Sequence, residues 1–498
     1  MKIYDSIVIG TGPCSEPVLF HLSKTNISCL VLDSGDINKN SNNYKNISNF
    51  KIKQKLTPKQ RLNQFNILDQ NNFKKIHSSL YLRCRKYFYI YALKSGGLSN
   101  SWGGGAFEWP SNEIKKTTSL PYKAIQKSYY SIKKRLLIKK RINFAKQSEL
   151  SLRLLSKKNN KIDYQSSKFF LEKDFKNKKI NYPFNQNLIW NSKNTVYKYI
   201  KSSSNIEYKK NTTVLYLNKR KNQVWELCCQ HKEEIFFIRT KSLILCSGTL
   251  NSACLAFSAT NIKKLKLKFK HNNVHLVPLF TLKNKISCLT KFNLELPELS
   301  WKEKNIKSYD DYDLSSGYYV NSLFLMKEFL NRFRFFNKNY LFKIISFLLS
   351  RFGFFTIFLP STYSNVSLEL IKSSNYKNKI LIYATITNKT TKKSLRKKKS
   401  EIISKLFSSL PKNTFFINIF AKAVSPGGDI HYSSTLPDEI GEKTFLNTSS
   451  IGEINKLPMI FVADPSRLAY LSSLPHTFTV MAINDASMPK IIKKILSQ

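Results

Sequence analysis

Two glycine-rich stretches carry the residues best suited to holding a reactive group. The first, GTGPCS at 10–15, follows an apolar run and sets Gly10, Gly12 and Ser15 in a G-x-G-x-x-S pattern, with an acid, Asp33, roughly twenty residues further on. Gly10 allows a tight turn and Gly12 lets backbone approach a pyrophosphate. The helix start that follows faces that anion, and the Asp33 carboxylate can accept hydrogen bonds from a ribose. The second stretch, KSGGLSNSWGGG at 94–105, places five glycines in twelve positions of a chain that has only 15. Such a cluster marks backbone that must take positive φ or come close to another backbone or a ligand. Ser99, Asn100, Ser101 and Trp102 at its centre suit a loop folded over a flat, polar, aromatic group.

These stretches need elements to position them. Residues 6–9 read as a short strand, 17–23 as a helix and 28–32 as a second strand ending at Asp33, a β-α-β unit with the glycines at its turn. Residues 38–75 are polar, rich in Asn and Lys, and read as a long loop or lid. From 206 to 238 the chain alternates like antiparallel hairpin strands, then runs through an apolar strand at 243–245 into Ser247, Gly248 and a helix-like segment. That second strand-to-glycine junction can complete the cofactor-binding sheet. Further on, 362–370 and 379–387 read as antiparallel strands. Residues 393–410 read as an amphipathic helix with Leu395, Ile402, Leu406 and Leu410 near one face.

At 498 residues, with 42% hydrophobic and 13% aromatic content, the chain is long and apolar enough for two or three interlocked units. Its eight cysteines, Cys14, Cys29, Cys84, Cys228, Cys229, Cys246, Cys254 and Cys288, make no C-x-x-C pair and read as buried thiols in a reducing compartment. Lys and Arg number 82 against 31 Asp and Glu, a net charge of +51. The lysines are spread along the whole length, and in KLKLKFK at 264–270 they alternate with apolar residues, so a solvated surface is the first reading. No RNA-binding aromatic pattern, zinc-finger spacing or helix-turn-helix pattern points to nucleic acid. The apolar stretch at 340–360 is broken by Lys343, Arg351 and Gly353, too soon to span a bilayer. It reads first as a core helix-turn element and second as a surface dipping into a lipid interface. With the basic start of the helix at 393–410, KKSLRKKK, it raises peripheral contact with an anionic membrane as an expectation. The N-terminus begins on a strand run without a targeting pattern, so a cytoplasmic location is expected.

In order along the chain, the N-terminal unit, GGLSNSWGGG, the hairpin followed by LILCSGTLNSACLAFSA, and the tail HYSST…FVADPSRLAYLSSLPHTFTVMA resemble the glucose/methanol/choline flavin oxidoreductases. The likeness covers about the first 110 residues, 205–260 and 425–495, roughly half of the chain. It implies an α/β fold: a Rossmann-like FAD-binding domain with an inserted α+β substrate domain built on an antiparallel sheet. The FAD-binding parts would be 1–110, 205–260 and 425–498, the last with the active-site histidines. A lid and substrate part would lie at 111–204 and the main substrate domain at 261–424. The cofactor would be FAD, and the substrate a small-molecule alcohol or sugar, with the electron acceptor left open. The resemblance implies cofactor contacts from Gly10, Gly12, Pro13, Ser15, Asp33, Ser34, Gly97, Ser99, Asn100, Val214, Gly248, Asp464 and Thr477.

Of the seven histidines, His21, His77, His231, His271 and His275 sit in helix, hairpin or polar contexts and make no metal-ligand constellation. His431 opens HYSST, which matches the family's H-x-x-x-T. His476 follows Asp464 at about the spacing of a second active-site His or Asn in that family. The resemblance implies that His431 is the base and His476 its hydrogen-bonding partner, roles that could be exchanged. Three departures stand out. Ser252-Ala253-Cys254-Leu255 replaces Ser-Pro and two aliphatics, and Leu19 replaces a small residue. Ser101 stands where some sugar oxidases carry a flavin-linked histidine, which implies a flavin held without a covalent bond. Other flavin chemistry, amine-oxidase-like or desaturase-like, and a nonenzymatic basic binding protein are the alternatives.

Overall fold

The computed structural model describes residues 2–36, 66–68, 74–85, 87–100, 102–140, 149–156, 161–171, 189–220, 224–282, 297, 299–304, 314–321, 351–364, 366–373, 379–386, 391–417 and 421–498. Among these residues, the strands that carry the first glycine motif are mutually parallel. Ile3–Ile9 lies between Cys29–Leu32 and the end of Glu234–Leu245, Ile206–Lys209 extends the sheet beyond Cys29–Leu32, and Leu457–Val462 pairs with Leu243 to Leu245. Aliphatic residues fill these strands because both faces are covered, as parallel strands require. The helices Ser15–Leu22 and Thr477–Leu496 cover one face. Val18, Leu19 and Leu22 pack there with Val8, Val31 and Met488, so the large side chain at position 19 is buried between helix and sheet. Asn484 ties the layers together by donating to the carbonyls of Cys14 (3.0 Å) and Ala463 (2.7 Å).

The first β-α-β unit follows the sequence reading, with strand Ile3–Ile9, helix Ser15–Leu22 and strand Cys29–Leu32. The hairpin reading at 206–238 is corrected in part. Thr212–Lys219 and Trp225–His231 do form an antiparallel hairpin, but Ile206–Lys209 runs parallel to Cys29–Leu32. Alternation reports which faces are wet and not which way a strand's neighbour runs.

Two further large sheets, with three two-stranded ones, are present among the described residues. One is antiparallel, ordered Thr414–Phe416, Asn273–Thr281, Phe352–Leu359, Ser316–Asn321, Leu299–Glu303 and Ile162–Ser166. The other holds Lys264–Lys268, Val366–Lys372, Ile380–Ile386, Leu80–Arg85 and Lys74–His77. In it the expected antiparallel pair Val366–Lys372 and Ile380–Ile386 forms, and Leu80–Arg85 adds parallel to it. Lys264–Lys268 alternates exposed lysine with buried leucine, as its sequence pattern indicates.

The core helix-turn reading of 340–360 is corrected where the structure describes it. Phe352–Leu359 is a strand that alternates half-buried and buried residues, and 340–350 lie outside the described residues. Its phenylalanines face both sides of the sheet, which gives an aromatic-rich run without helical periodicity. Most of the 38–75 loop is likewise outside the described residues, but Asn66–Leu68 and most of Lys74–His77 within or beside it are strands.

The helix Thr391–Ser409 lies on the antiparallel sheet through Ile402 and Leu406, which pack with Leu410 against Val277, Leu279 and Phe355. Part of its basic run turns inward. Lys398 (3.3 Å) and Lys405 (2.8 Å) both reach the buried Glu303, which leaves Lys393, Arg396 and Lys397 as the exposed charge. No described helix is long and apolar enough to cross a membrane. Seven cysteines are buried free thiols, and Cys288 lies outside the described residues.

Candidate functional site

A cavity of about 450 Å³ opens where the parallel strands end, lined by Ile9, Leu32, Cys246 and Asp464 from their C-terminal ends. In sheets of this kind ligands bind outside the carboxyl ends of the strands. Among the described residues, three helices also begin at this cavity. Pro13 and Cys14 lead into Ser15–Leu22, Gly248 into Thr249–Ser258, and His476 into Thr477–Leu496, and all four residues line it. The partial positive charge of these helix starts favours an anionic or carbonyl-bearing ligand.

Glycine makes the close approach possible. A Cβ at Gly12, Gly103 or Gly248 would meet nothing within 4 Å, so these backbones face open cavity. Gly10 instead faces backbone, and at φ 100° it passes so close to the Cys246 carbonyl that a Cβ would lie 2.5 Å from that oxygen. Its turn thereby joins the ends of Ile3–Ile9 and Glu234–Leu245.

The cavity collects most of the residues singled out from sequence. Gly10, Gly12, Pro13, Asp33, Ser34 and Gly97 line it, as do Ser99, Val214, Gly248, Asp464 and Thr477, together with His431 and His476. Ser15 and Asn100 are not among the lining residues. Ser15 Oγ donates to the Gly12 carbonyl (2.8 Å), and Asn100 Nδ2 donates to Ser95 (2.9 Å) and Gly97 (2.8 Å) carbonyls, so both brace glycine turns from behind. Ser101 is outside the described residues.

Both aspartates are already engaged. Asp33 Oδ2 accepts from the Thr11 N–H (2.8 Å) and hydroxyl (2.6 Å), and Oδ1 accepts from Gly35 N–H (2.7 Å). Oδ1 keeps acceptor capacity toward the cavity. Asp464 accepts from Gly248 N–H (2.9 Å) and Ser466 N–H (3.0 Å), with Ser252 and Ser466 hydroxyls on the same carboxylate. Its work in the structure is to hold the start of Thr249–Ser258 in place. Burial pushes both carboxyls up despite these hydrogen bonds.

The second glycine loop contains the turn Gly97–Asn100, and both glycine loops are anchored by residues that no sequence pattern marks. Asn191 Nδ2 donates to Asn100 Oδ1 (2.9 Å), Ser192 Oγ to the Thr11 carbonyl (2.9 Å) and Trp102 Nε1 to the Trp190 carbonyl (2.9 Å). The last two of these contacts connect positions 181 and 88 residues apart, beyond any local signal.

The two histidines meet at one wall of the cavity, ring centroids 5.0 Å apart and planes at 86°. His431 also stacks on Phe358 at 5.6 Å, and its Nδ1 lies 2.9 Å from Asn272 Oδ1. The residue before it, Ile430, has φ 65°, a costly backbone for a β-branched residue and one kept where the surroundings over-determine it. Burial holds the His431 imidazole below its ordinary range, with Asp429 pulling the other way. Burial, and then His431 itself, holds His476 further down. Both shifts favour the neutral form of the ring. Among the described residues, His476 Nδ1 is buried without a hydrogen-bond partner.

Sequence reasoning passed over Asn272, Asp429 and Phe358, all close to His431, and treated His271 as incidental. Asn272 Nδ2 donates to the carbonyls of Leu359 and Ser472, both at 3.0 Å, and its N–H to Asp429 Oδ2 (2.9 Å). His77, read as lying in a polar context, also lines the cavity, and burial pulls it down to about 4. Among the described residues no cluster of His, Cys, Asp and Glu has the make-up of a metal site.

A parallel set of strands with a glycine-rich cavity at its carboxyl edge, together with an antiparallel sheet, defines a mixed α/β fold. Among solved structures the chain is similar to pyridoxine 4-oxidase from Mesorbium loti, with a TM-score of 0.60 at 10% sequence identity, over 98% of this chain and 99% of that one. At that identity the likeness is one of fold. No protein-family model matches the sequence. No curated protein matches it either.

Proposed function

We propose that the protein is an FAD-dependent oxidoreductase that oxidises an alcohol or sugar hydroxyl. The observation that carries this reading is one cavity with three helix starts and cofactor-type glycines on its walls and a histidine pair at another part of the same surface. The residues fit the cofactor. Open backbone at Gly12, Gly103 and Gly248 leaves room against the chain, and the buried Nδ1 of His476 lacks a partner among the described residues. Gly12, Pro13 and the start of Ser15–Leu22 would hold the pyrophosphate, and Asp33 Oδ1 a ribose hydroxyl. The loop around Gly97 and Ser99, Trp102 to Gly105, and the start of Thr477–Leu496 would hold the flavin ring.

When bound, FAD supplies a two-electron acceptor for hydride. This chain's residues supply the rest. A ring nitrogen of His431 takes the hydroxyl proton, and His476 holds the oxygen as charge develops on it. The packed wall behind them keeps the reacting carbon near the cofactor. The purified protein is expected to be yellow, to release FAD into solution on acid denaturation and to bleach when a substrate alcohol is added without oxygen. Colourless protein that FAD cannot reconstitute would overturn the reading, and flavin left on the denatured chain would overturn noncovalent attachment.

The lowered histidines set the pH dependence. A base works only while neutral, and a ring held below the ordinary value of about 6.5 stays neutral to lower pH. Anaerobic flavin reduction at saturating substrate is therefore expected to fall on the acid side with a midpoint below 6.5. An acid limb centred above 6.5 would contradict the burial of His431.

A further inference from the structure

We propose that Asn272 is a positioning residue that locks His431 in its Nδ1–H tautomer and so presents an unprotonated Nε2 to the cavity. The inference rests on the reading of His431 as the base, and it names the atom that does the work. It follows from hydrogen-bond bookkeeping. Asn272 Nδ2 lies 3.0 Å from the carbonyl oxygens of both Leu359 and Ser472. Carbonyl oxygens only accept, so both amide hydrogens are committed there and the amide cannot be turned around. Its Oδ1 must then face His431 Nδ1, at 2.9 Å, as an acceptor. An acceptor opposite Nδ1 requires a proton on Nδ1, and in a neutral ring that leaves Nε2 with its lone pair. Among the described residues no hydrogen bond engages that Nε2.

The lock is worth building because a histidine side chain free in water prefers its proton on Nε2, the arrangement in which the base atom is blocked. Asn272 is 1% exposed and held on three sides: its own N–H donates to Asp429 Oδ2 (2.9 Å), its carbonyl lies 2.8 Å from His271 Nδ1, and its side chain spans the two carbonyls. His271 sits on Lys270–His271, which pairs antiparallel with Tyr432–Ser433, the strand that begins just after His431. The amide and the ring are thus placed by the same pair of strands. A carboxylate in place of the amide would accept equally well but carry a charge beside the ring. The neutral amide fixes the tautomer without favouring imidazolium.

The test reads the tautomer directly. The chain has seven histidines, so protein labelled with 15N only at histidine gives few imidazole signals, and His431→Gln assigns the one of interest. In the wild-type protein at pH 7.5, long-range proton–nitrogen spectra are expected to show His431 protonated on Nδ1 and bare on Nε2. In Asn272→Leu the Nε2–H form is expected to appear, and flavin reduction to slow about 10- to 100-fold, the range that loss of an orienting partner costs a histidine elsewhere. Asn272→Asp, which keeps an acceptor toward Nδ1 but sets its second oxygen against two carbonyls and a charge beside the ring, is expected to keep Nδ1–H while moving the acid limb of flavin reduction to higher pH. A wild-type His431 protonated on Nε2 overturns the inference without recourse to any variant, and so does Asn272→Leu with an unchanged tautomer. The spectra need neither flavin nor substrate. A locked Nδ1–H ring in a protein that never binds FAD would therefore uphold the lock and remove the oxidoreductase reading, and the reverse result would do the opposite.

Discussion

His431→Ala is expected to give a yellow protein whose substrate-dependent bleaching is slower than wild type by about 100- to 10,000-fold, the contribution of a positioned acid or base. FAD should stay bound because the residues assigned to the pyrophosphate and ribose, Gly12, Pro13 and Asp33, make no contact with this ring. The fold should also survive. His431 lines the cavity, so truncation widens an existing space instead of opening a void in packed core, and solvent in the cavity can reach the Asn272 oxygen left behind. His476→Ala is expected to slow bleaching less. Its Nδ1 has no partner among the described residues, and no described side chain fixes it as Asn272 fixes His431. Stopped-flow reduction under anaerobic, saturating substrate measures both. If both variants reduce flavin at the wild-type rate, the pair is structural and the proposed mechanism fails.

How much of this site could be read from sequence follows from how local each contact is. The turn at Gly10 to Ser15 and the placement of Asp33 were legible because one β-α-β unit contains them, and its geometry is set by short-range rules. The histidines were legible only through resemblance, since they lie on separate segments that packing alone brings together. Asn272 was illegible for the same physical reason in stronger form: it lies 159 residues from the ring it contacts, beside another asparagine, with no spacing that sets it apart. The braces from Asn191 and Ser192 to the two glycine loops are likewise remote. Pattern also misled where it was truthful but incomplete. Ile206–Lys209 does have a strand's alternation, yet its direction is set by the neighbour it finds at the open edge of Cys29–Leu32. At 352–359 the many phenylalanines hid a period of two, because both faces of that strand are at least half covered.

The two glycines of the first motif should fail in different ways, and the contrast separates a structural turn from a cofactor contact. Gly10 adopts φ 100°, and a methyl there would lie 2.5 Å from the Cys246 oxygen and 3.0 Å from its carbonyl carbon, both backbone atoms that cannot rotate away. Gly10→Ala is therefore expected to destabilise the protein whether or not FAD is present. The left-handed backbone alone costs about 1–3 kcal/mol, and the overlap adds to it. Gly12 lacks positive φ, and a methyl there meets nothing within 4 Å. In the absence of cofactor Gly12→Ala should melt at or slightly above the wild-type temperature, because alanine narrows the unfolded ensemble by about 0.4–1 kcal/mol. The same methyl would project from backbone that faces open cavity, where the pyrophosphate must come closest to the chain. Losing one hydrogen bond to a charged group costs about 1.5–3 kcal/mol, so FAD affinity should fall about 10- to 100-fold. Thermal melts of cofactor-free protein and titration of FAD by flavin fluorescence read the two effects separately. A Gly12→Ala protein that binds FAD as tightly as wild type would show that the cofactor does not lie against this turn.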